Sequence, residues 1–75
     1  MPERARILIV DDDPVIRLLA GSALTDVGHE VVDAESAEAA IPLLDEARPD
    51  IVLLDLQMPG MGGLAFCAWL RTQPA

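Results

Sequence analysis

The fold of this 75-residue chain is decided by residues 7–15, which read ILIVDDDPV. Four aliphatic residues run directly into Asp11, Asp12 and Asp13, and a proline follows. An uninterrupted aliphatic run of this kind is typical of a strand buried on both faces of a parallel sheet. Adjacent carboxylates repel one another and resist desolvation, so the aspartates at the end of this strand require a counter-charge nearby.

A second stretch further along the chain repeats this arrangement. Residues 51–54 read IVLL and are followed by Asp55, which again predicts a strand buried on both faces. Residues 30–34, which read EVVDA, form a weaker strand candidate. Their charged residues favour a position at an edge of the sheet.

The segments between these strands have helical spacing. Asp13 can cap a first helix, Pro14 can take its first position, and Gly28 offers a left-handed stop. Apolar residues recur at steps of three and four residues, which is typical of a helix, and they are Ile16, Leu19, Ala20, Ala23, Leu24 and Val27.

Two further helices are predicted downstream. The second covers about residues 36–47 with Ser36 as its cap, and the interior Pro42 predicts a kink or a late start because proline removes a backbone donor. The third begins near Gly63 and ends near residue 72. Its inner side is predicted to carry Leu64, Phe66, Cys67 and Leu70, and Trp69 is predicted to face solvent or a partner.

Alternating strands and helices predict an open α/β sheet with right-handed crossovers. In a parallel sheet, Asp11, Asp12 and Asp55 emerge at the same carboxyl edge, and they converge if the first and third strands are neighbours. A set of oxygen ligands favours a hard cation, and Mg²⁺ fits two or three carboxylates with waters. Such an ion would neutralise part of the negative charge of the three carboxylates. It would also make Asp55 a candidate acceptor of a phosphoryl group. Asp13 is assigned to helix capping.

Composition narrows the possible functions. Thirteen acidic residues against five scattered basic ones give a net charge of −8, which argues against direct binding of nucleic acid or of an anionic membrane. The single cysteine, Cys67, excludes an internal disulfide and fits a reducing, cytoplasmic compartment. The apolar run near the N-terminus is too short for a signal peptide or a membrane span.

The chain resembles the first part of a response-regulator receiver domain of two-component signalling. The resemblance rests on ILIVDDDPVIRLL, VVDAES, PDIVLLDLQMPGMGG and LAFCAWLR. It implies a flavodoxin-like, three-layer fold with strand order 2-1-3. It also implies that Asp11 and Asp12 are the acidic pair, that Asp55 is the phosphoacceptor, and that the backbone carbonyl of Gln57 completes the Mg²⁺ shell. Met58, Pro59 and Gly63 match the loop that follows the acceptor.

The same resemblance implies a signalling role, with no enzymatic turnover of a substrate. A sensor histidine kinase or a phosphotransfer protein would donate the phosphoryl group, and phosphorylation would switch an output domain or partner. Residues 1–75 are expected to form the first three β-α units, with the remainder of the domain absent from this chain. The strand at residues 51–54 would then have an unpaired edge, and we expect self-association through it.

Two other functions stay open at this point. Asp11 and Asp13 after a strand also resemble the motif of haloacid-dehalogenase-type phosphatases, in which Asp11 would be the nucleophile and Asp13 the general acid. That interpretation leaves Asp55 and the QMPGMGG loop without a role. The other alternative is a receiver-like interaction module that works without phosphorylation, although retaining three uncompensated carboxylates would be costly.

Overall fold

The computed structural model describes residues 4–55 and 62–73. Strands and helices alternate along these residues, as predicted. The elements are β1 (Arg6–Val10), α1 (Pro14–Asp26), β2 (Glu30–Ala34), α2 (Ala37–Ala47), β3 (Ile51–Leu54) and α3 (Gly63–Leu70). Within the described ranges, no helix is long and apolar enough to cross a membrane.

The three strands form one parallel sheet in the order β2-β1-β3. Val10 at the end of β1 is in register with Ala34 on one side and with Leu54 on the other. The predicted open α/β sheet with order 2-1-3 is confirmed, and β2 lies at an edge as its charged residues indicated. The carboxyl ends of β1 and β3 therefore lie side by side.

Local capping explains where the first two helices begin. The Asp13 side chain accepts hydrogen bonds from the first-turn amides of α1, and Gly28 beyond its end has φ 99°, a conformation that glycine adopts at low cost. The Ser36 side chain accepts from the amide of Ala39, 3.0 Å away. This cap fixes the start of α2 at Ala37, so the late start expected from Pro42 is wrong. The kink stays a prediction.

The core lies between the sheet and the pair α2 and α3. Leu8 and Val10 of β1 and Phe66 of α3 are fully buried there, and the small residues Ala37 and Ala40 let α2 approach the sheet closely. Close packing of these side chains excludes water and stabilises the fold. All four residues 7–10 are buried, so the prediction that β1 is covered on both faces is confirmed.

Burial of β3 differs from the prediction. Ile51 and Leu53 are 45% and 44% exposed, whereas the alternate residues Val52 and Leu54 pack against the core. The exposed pair faces the side of the sheet on which α1 lies, but α1 packs mainly on β1 and β2. The prediction of burial on both faces is therefore wrong for β3, because its second face has no described element over it.

The side of α1 that faces the sheet carries only part of its recurring apolar residues. Ile16, Leu19 and Val27 are exposed, and the half-buried positions are Arg17, Ala20, Gly21 and Leu24. A Cβ added at Gly21 would lie 3.7 Å from a methyl carbon of Val31, which identifies the side that faces the sheet. The apolar stripe of α1 is wider than the surface that β1 and β2 offer. Some of its apolar side chains therefore remain exposed.

Trp69 packs inward, contrary to the prediction that it faces solvent or a partner. Its ring stacks on Phe66 with 5.9 Å between centroids and 14° between planes, and it contacts the core as a half-buried side chain. Residues three apart on a helix are about 60° apart around its axis, so they share a face. Trp69 therefore lies beside Phe66 and cannot lie opposite it.

Candidate metal site at the carboxyl edge of the sheet

Three carboxylates converge beyond the ends of β1 and β3. Asp11, Asp12 and Asp55 each offer one oxygen atom, and these three oxygens all lie within 4.8 Å of one another. Asp11 and Asp55 are half-buried, and Asp12 is exposed. The sequence predicted that these residues meet, and the structure brings them together at an edge that ions and ligands can reach.

Main-chain hydrogen bonds fix where these residues leave the sheet. The amide of Asp11 donates to the carbonyl oxygen of Ala34 over 3.1 Å, and the amide of Asp55 donates to that of Val10 over 2.9 Å. Both strand ladders thus continue one residue past the last paired position. The backbone positions of Asp11 and Asp55 therefore follow from the sheet register, and Asp12 is the next residue after Asp11 in the connection to α1.

Asp13 has a different place from its two neighbours. Its carboxylate oxygen accepts from the amides of Val15 at 2.9 Å and Ile16 at 3.4 Å, and it is outside the converging group. The assignment of Asp13 to helix capping is confirmed. A carboxylate occupied by two amides of its own helix is poorly placed to act as a general acid, which weakens the phosphatase alternative.

Arg17 contacts this edge and was missed by sequence reasoning. Its Nη1 donates to the backbone carbonyl of Asp11 at 2.7 Å, and its Nε pairs with Asp33 at 3.0 Å. Its position four residues after the Asp13 cap, on the same side of the helix as Ala20 and Gly21, could have indicated that it faces the sheet.

Part of the predicted site lies outside the described residues. Gln57, whose carbonyl the resemblance assigns to the Mg²⁺ shell, belongs to this part, as do Met58 and Pro59. Gly63 is the first residue of α3. The carboxylate half of the predicted ligand set is therefore the half that the structure describes.

The donor set fits a hard divalent cation. Three carboxylates with oxygens within 4.8 Å of one another repel one another. The attraction of each carboxylate to a shared cation would offset this repulsion. Oxygen-only ligands with open, solvent-facing positions suit Mg²⁺, which retains several waters in protein sites. The arrangement can therefore hold a hard divalent cation among its three carboxylates.

Comparison with known proteins identifies the family. The model of the response regulator receiver domain matches residues 7–75. The transcriptional regulatory protein AfsQ1 of Streptomyces coelicolor is 40% identical over 65 residues, which are 87% of this chain and 29% of AfsQ1. The chain thus spans less than a third of that curated relative.

Solved receiver structures have the same fold over nearly all of this chain. The N-terminal domain of a response regulator receiver protein from Methanoculleus marisnigri superimposes with a TM-score of 0.90 at 34% identity, covering 93% of this chain and 57% of that one. The response regulator TrrA of Thermotoga maritima, solved in complex with Mg(2+)-BeF, gives a TM-score of 0.82 at 41% identity, covering 88% and 57%. Together with the acidic cluster at the end of β1 and β3, these similarities show that the chain belongs to the response regulator receiver domain family of two-component signalling.

Proposed function

We propose that Asp55 accepts a phosphoryl group in a reaction that depends on Mg²⁺ held by Asp11, Asp12 and Asp55. The observation that carries this proposal is the convergence of three carboxylate oxygens within 4.8 Å at the edge of the sheet. The backbone carbonyl of Gln57 is proposed as a further ligand from the family resemblance. Membership of the receiver family supports the same assignment.

The choice of Asp55 as the acceptor among the three carboxylates rests on the resemblance to the receiver family, and the position of Asp55 at the end of β3 is compatible with it. One oxygen of the Asp11 carboxylate accepts a hydrogen bond of 2.9 Å from the amide of Asp13, which fixes this side chain as a proposed ligand at the end of β1. Asp55 follows β3 and is half-buried, with its amide anchored on Val10. A nucleophile held by the sheet reacts from one position, which lowers the entropic cost of reaching the transition state.

The residues divide the chemistry between them. A carboxylate oxygen of Asp55 forms the bond to phosphorus, while the phosphorus–nitrogen bond of a donor phosphohistidine breaks. The leaving imidazole keeps that electron pair and takes up a proton from water. Asp11, Asp12 and Asp55 would hold the cation, and a bound Mg²⁺ would supply positive charge that offsets the repulsion between a carboxylate and a phosphoryl group.

The proposed partners follow from this chemistry. A sensor histidine kinase or a phosphotransfer protein provides the phosphohistidine, and an output domain or separate partner responds to the modified Asp55. The setting is proposed to be cytoplasmic. The excess of acidic residues, with a net charge of −8, supports a protein partner over nucleic acid or an anionic membrane.

Self-association is proposed as a second property of this chain. Within the described residues, β3 pairs with β1 only, and its exposed Ile51 and Leu53 add apolar surface beside that edge. A strand edge with apolar side chains next to it favours pairing with another chain. The same surface would be available to further parts of a longer protein.

Mass spectrometry of the chain after incubation with a histidine kinase and Mg²⁺ tests the proposed reaction. We expect one phosphoryl group, located on Asp55 by peptide mapping, and none in Asp55→Asn. Asp45→Asn is the matched control, since Asp45 is an exposed residue of α2 outside the converging group. Phosphate on Asp11 would contradict the proposal and support the phosphatase alternative, and no phosphorylation at all would support the module that works without it.

A further inference from the structure

Arg17 lies beside the acidic cluster, and the proposed function gives it no role. Its side chain is only 17% exposed, although it carries a full charge. The guanidinium donates through Nη1 to the carbonyl oxygen of Asp11 at 2.7 Å and through Nε to the carboxylate of Asp33 at 3.0 Å. Both acceptors belong to residues on or next to strands, so the guanidinium links the ends of β1 and β2.

The bond to Asp11 acts on a specific peptide group. The carbonyl oxygen of Asp11 belongs to the planar peptide that joins Asp11 to Asp12. Fixing that oxygen fixes the peptide plane, and the plane sets the directions in which the two flanking side chains leave the backbone. Asp11 is held at two further points, because its amide donates to Ala34 and its carboxylate accepts from the amide of Asp13.

We infer that Arg17 is a positioning residue for the cation site. It holds the peptide between Asp11 and Asp12 in the orientation that turns both carboxylates toward Asp55, and it acts through its hydrogen bonds. This inference rests on the proposed function, because it assigns a purpose to the orientation of the proposed ligands. Residues that orient metal ligands without touching the metal often contribute as much to affinity as some ligands do.

The sign of the effect separates positioning from simple electrostatics. Arg17 brings a positive charge close to a proposed cation site, and that charge repels Mg²⁺. If Arg17 acted through its charge alone, its removal would tighten Mg²⁺ binding. If it orients the ligands, its removal weakens Mg²⁺ binding in spite of the lost repulsion.

Calorimetric titration of the chain with Mg²⁺ alone tests this inference. We expect Arg17→Met, which keeps most of the aliphatic stem, to raise the Kd for Mg²⁺ about 10-fold. Arg17→Lys keeps the charge but offers one ammonium where the arginine fork reached two acceptors. We expect it to recover only part of the affinity, and it provides the same test if the methionine variant does not fold.

Arg6 provides a matched control at the opposite end of the strands, since it is the first residue of β1. Its Nη1 donates to the carbonyl oxygen of Ala47 at 2.7 Å and its Nε pairs with Glu30 at 3.0 Å, so it makes the same two types of bond with the same lengths. We expect Arg6→Met to leave the Kd for Mg²⁺ unchanged.

Three outcomes would overturn the inference. They are an unchanged or lower Kd in Arg17→Met, full recovery in Arg17→Lys, and an equal loss of affinity in Arg6→Met. The first would assign Arg17 an electrostatic effect or none, the second would show that the two hydrogen bonds of the guanidinium have no part in the affinity, and the third would show a general loosening of the fold. If the unaltered chain bound no Mg²⁺ at all, the proposed function would fail. If the unaltered chain bound Mg²⁺ and Arg17→Met bound it equally well, only the inference about Arg17 would fail.

Discussion

The amide of Asp55 donates a 2.9 Å hydrogen bond to the carbonyl oxygen of Val10. This bond joins the residue that follows β3 to Val10, the last residue of β1, and Asp11 comes directly after Val10. Carboxylates that are far apart in sequence are thus held next to one another by the sheet ladder. The acidic cluster is a consequence of strand order, since β1 and β3 must be neighbours for this bond to form.

Asp12→Asn is predicted to weaken Mg²⁺ binding by about 10-fold or more, because it removes a charged ligand and a direct ligand should matter at least as much as an outer-shell partner. Calorimetric titration measures the change, and circular dichroism checks that the fold is retained. Asp45→Asn, which removes the same charge from an exposed position of α2 outside the cluster, is the control. Equal affinities of the Asp12 variant and the parent would exclude Asp12 as a ligand.

Asp13→Ala is predicted to lower the free energy of unfolding by about 1 kcal/mol, since it removes the side-chain cap of α1. The Mg²⁺ affinity should change little, because the bond that Asp13 makes to the Asp11 carboxylate comes from its backbone amide. Urea titration measures the first quantity and calorimetry the second. A large loss of Mg²⁺ affinity would show that Asp13 belongs to the cation site after all.

Phe66→Ala is predicted to destabilise the fold by about 3–5 kcal/mol, because it empties a fully buried position between the sheet and α3. It should also move the emission of Trp69 to longer wavelength, since the indole stacks on this ring. Urea titration and fluorescence measure the two effects. Leu18→Ala is the control, because Leu18 is 71% exposed and its truncation should change stability by less than about 0.5 kcal/mol. If Trp69 of the unaltered chain emitted at the same wavelength in the folded and the unfolded state, the result would contradict the stacking of Trp69 on Phe66.

Leu53→Lys is predicted to reduce self-association, because a lysine beside a strand edge opposes pairing with another chain. Sedimentation equilibrium should show a lower average mass than that of the parent chain at the same concentration. Ala39→Lys adds the same charge at an exposed position of α2 and should leave the mass unchanged. A parent chain that is monomeric at all concentrations would show that the edge of β3 does not drive association.

Much of the fold could be predicted from local patterns. The run from Ile7 to Val10 indicated a buried strand, and Asp13 with Pro14 indicated the start of α1, because each signal depends on interactions within a few residues. The position of Trp69 could also have been derived from helix geometry, since a spacing of three places it beside Phe66. The prediction was wrong because it misjudged the angle between Trp69 and Phe66 around the helix axis. The spacing in the sequence was sufficient to place Trp69 correctly.

Other features depended on what lies next to each element. The exposure of Ile51 and Leu53 could not be foreseen, because an aliphatic strand looks the same whether one or both of its faces are covered. The inner face of α1 depended on which strands it crosses, and its apolar stripe is wider than the contact. Hydrophobicity measures how favourable burial would be, and the neighbouring elements decide whether burial occurs.

The order of the elements, the cap of α1 and the identity of the three carboxylates all follow from residue types and short spacings along the chain. The packing of the elements, in contrast, brings the three carboxylate oxygens within 4.8 Å of one another and places Arg17 against the peptide between Asp11 and Asp12. Those contacts join residues that are brought together by the parallel pairing of β1 with β3 and by the packing of α1 on the sheet. The physical reason is that composition and spacing specify which groups are present, whereas the distances between them are fixed by strand register and helix packing across the sheet.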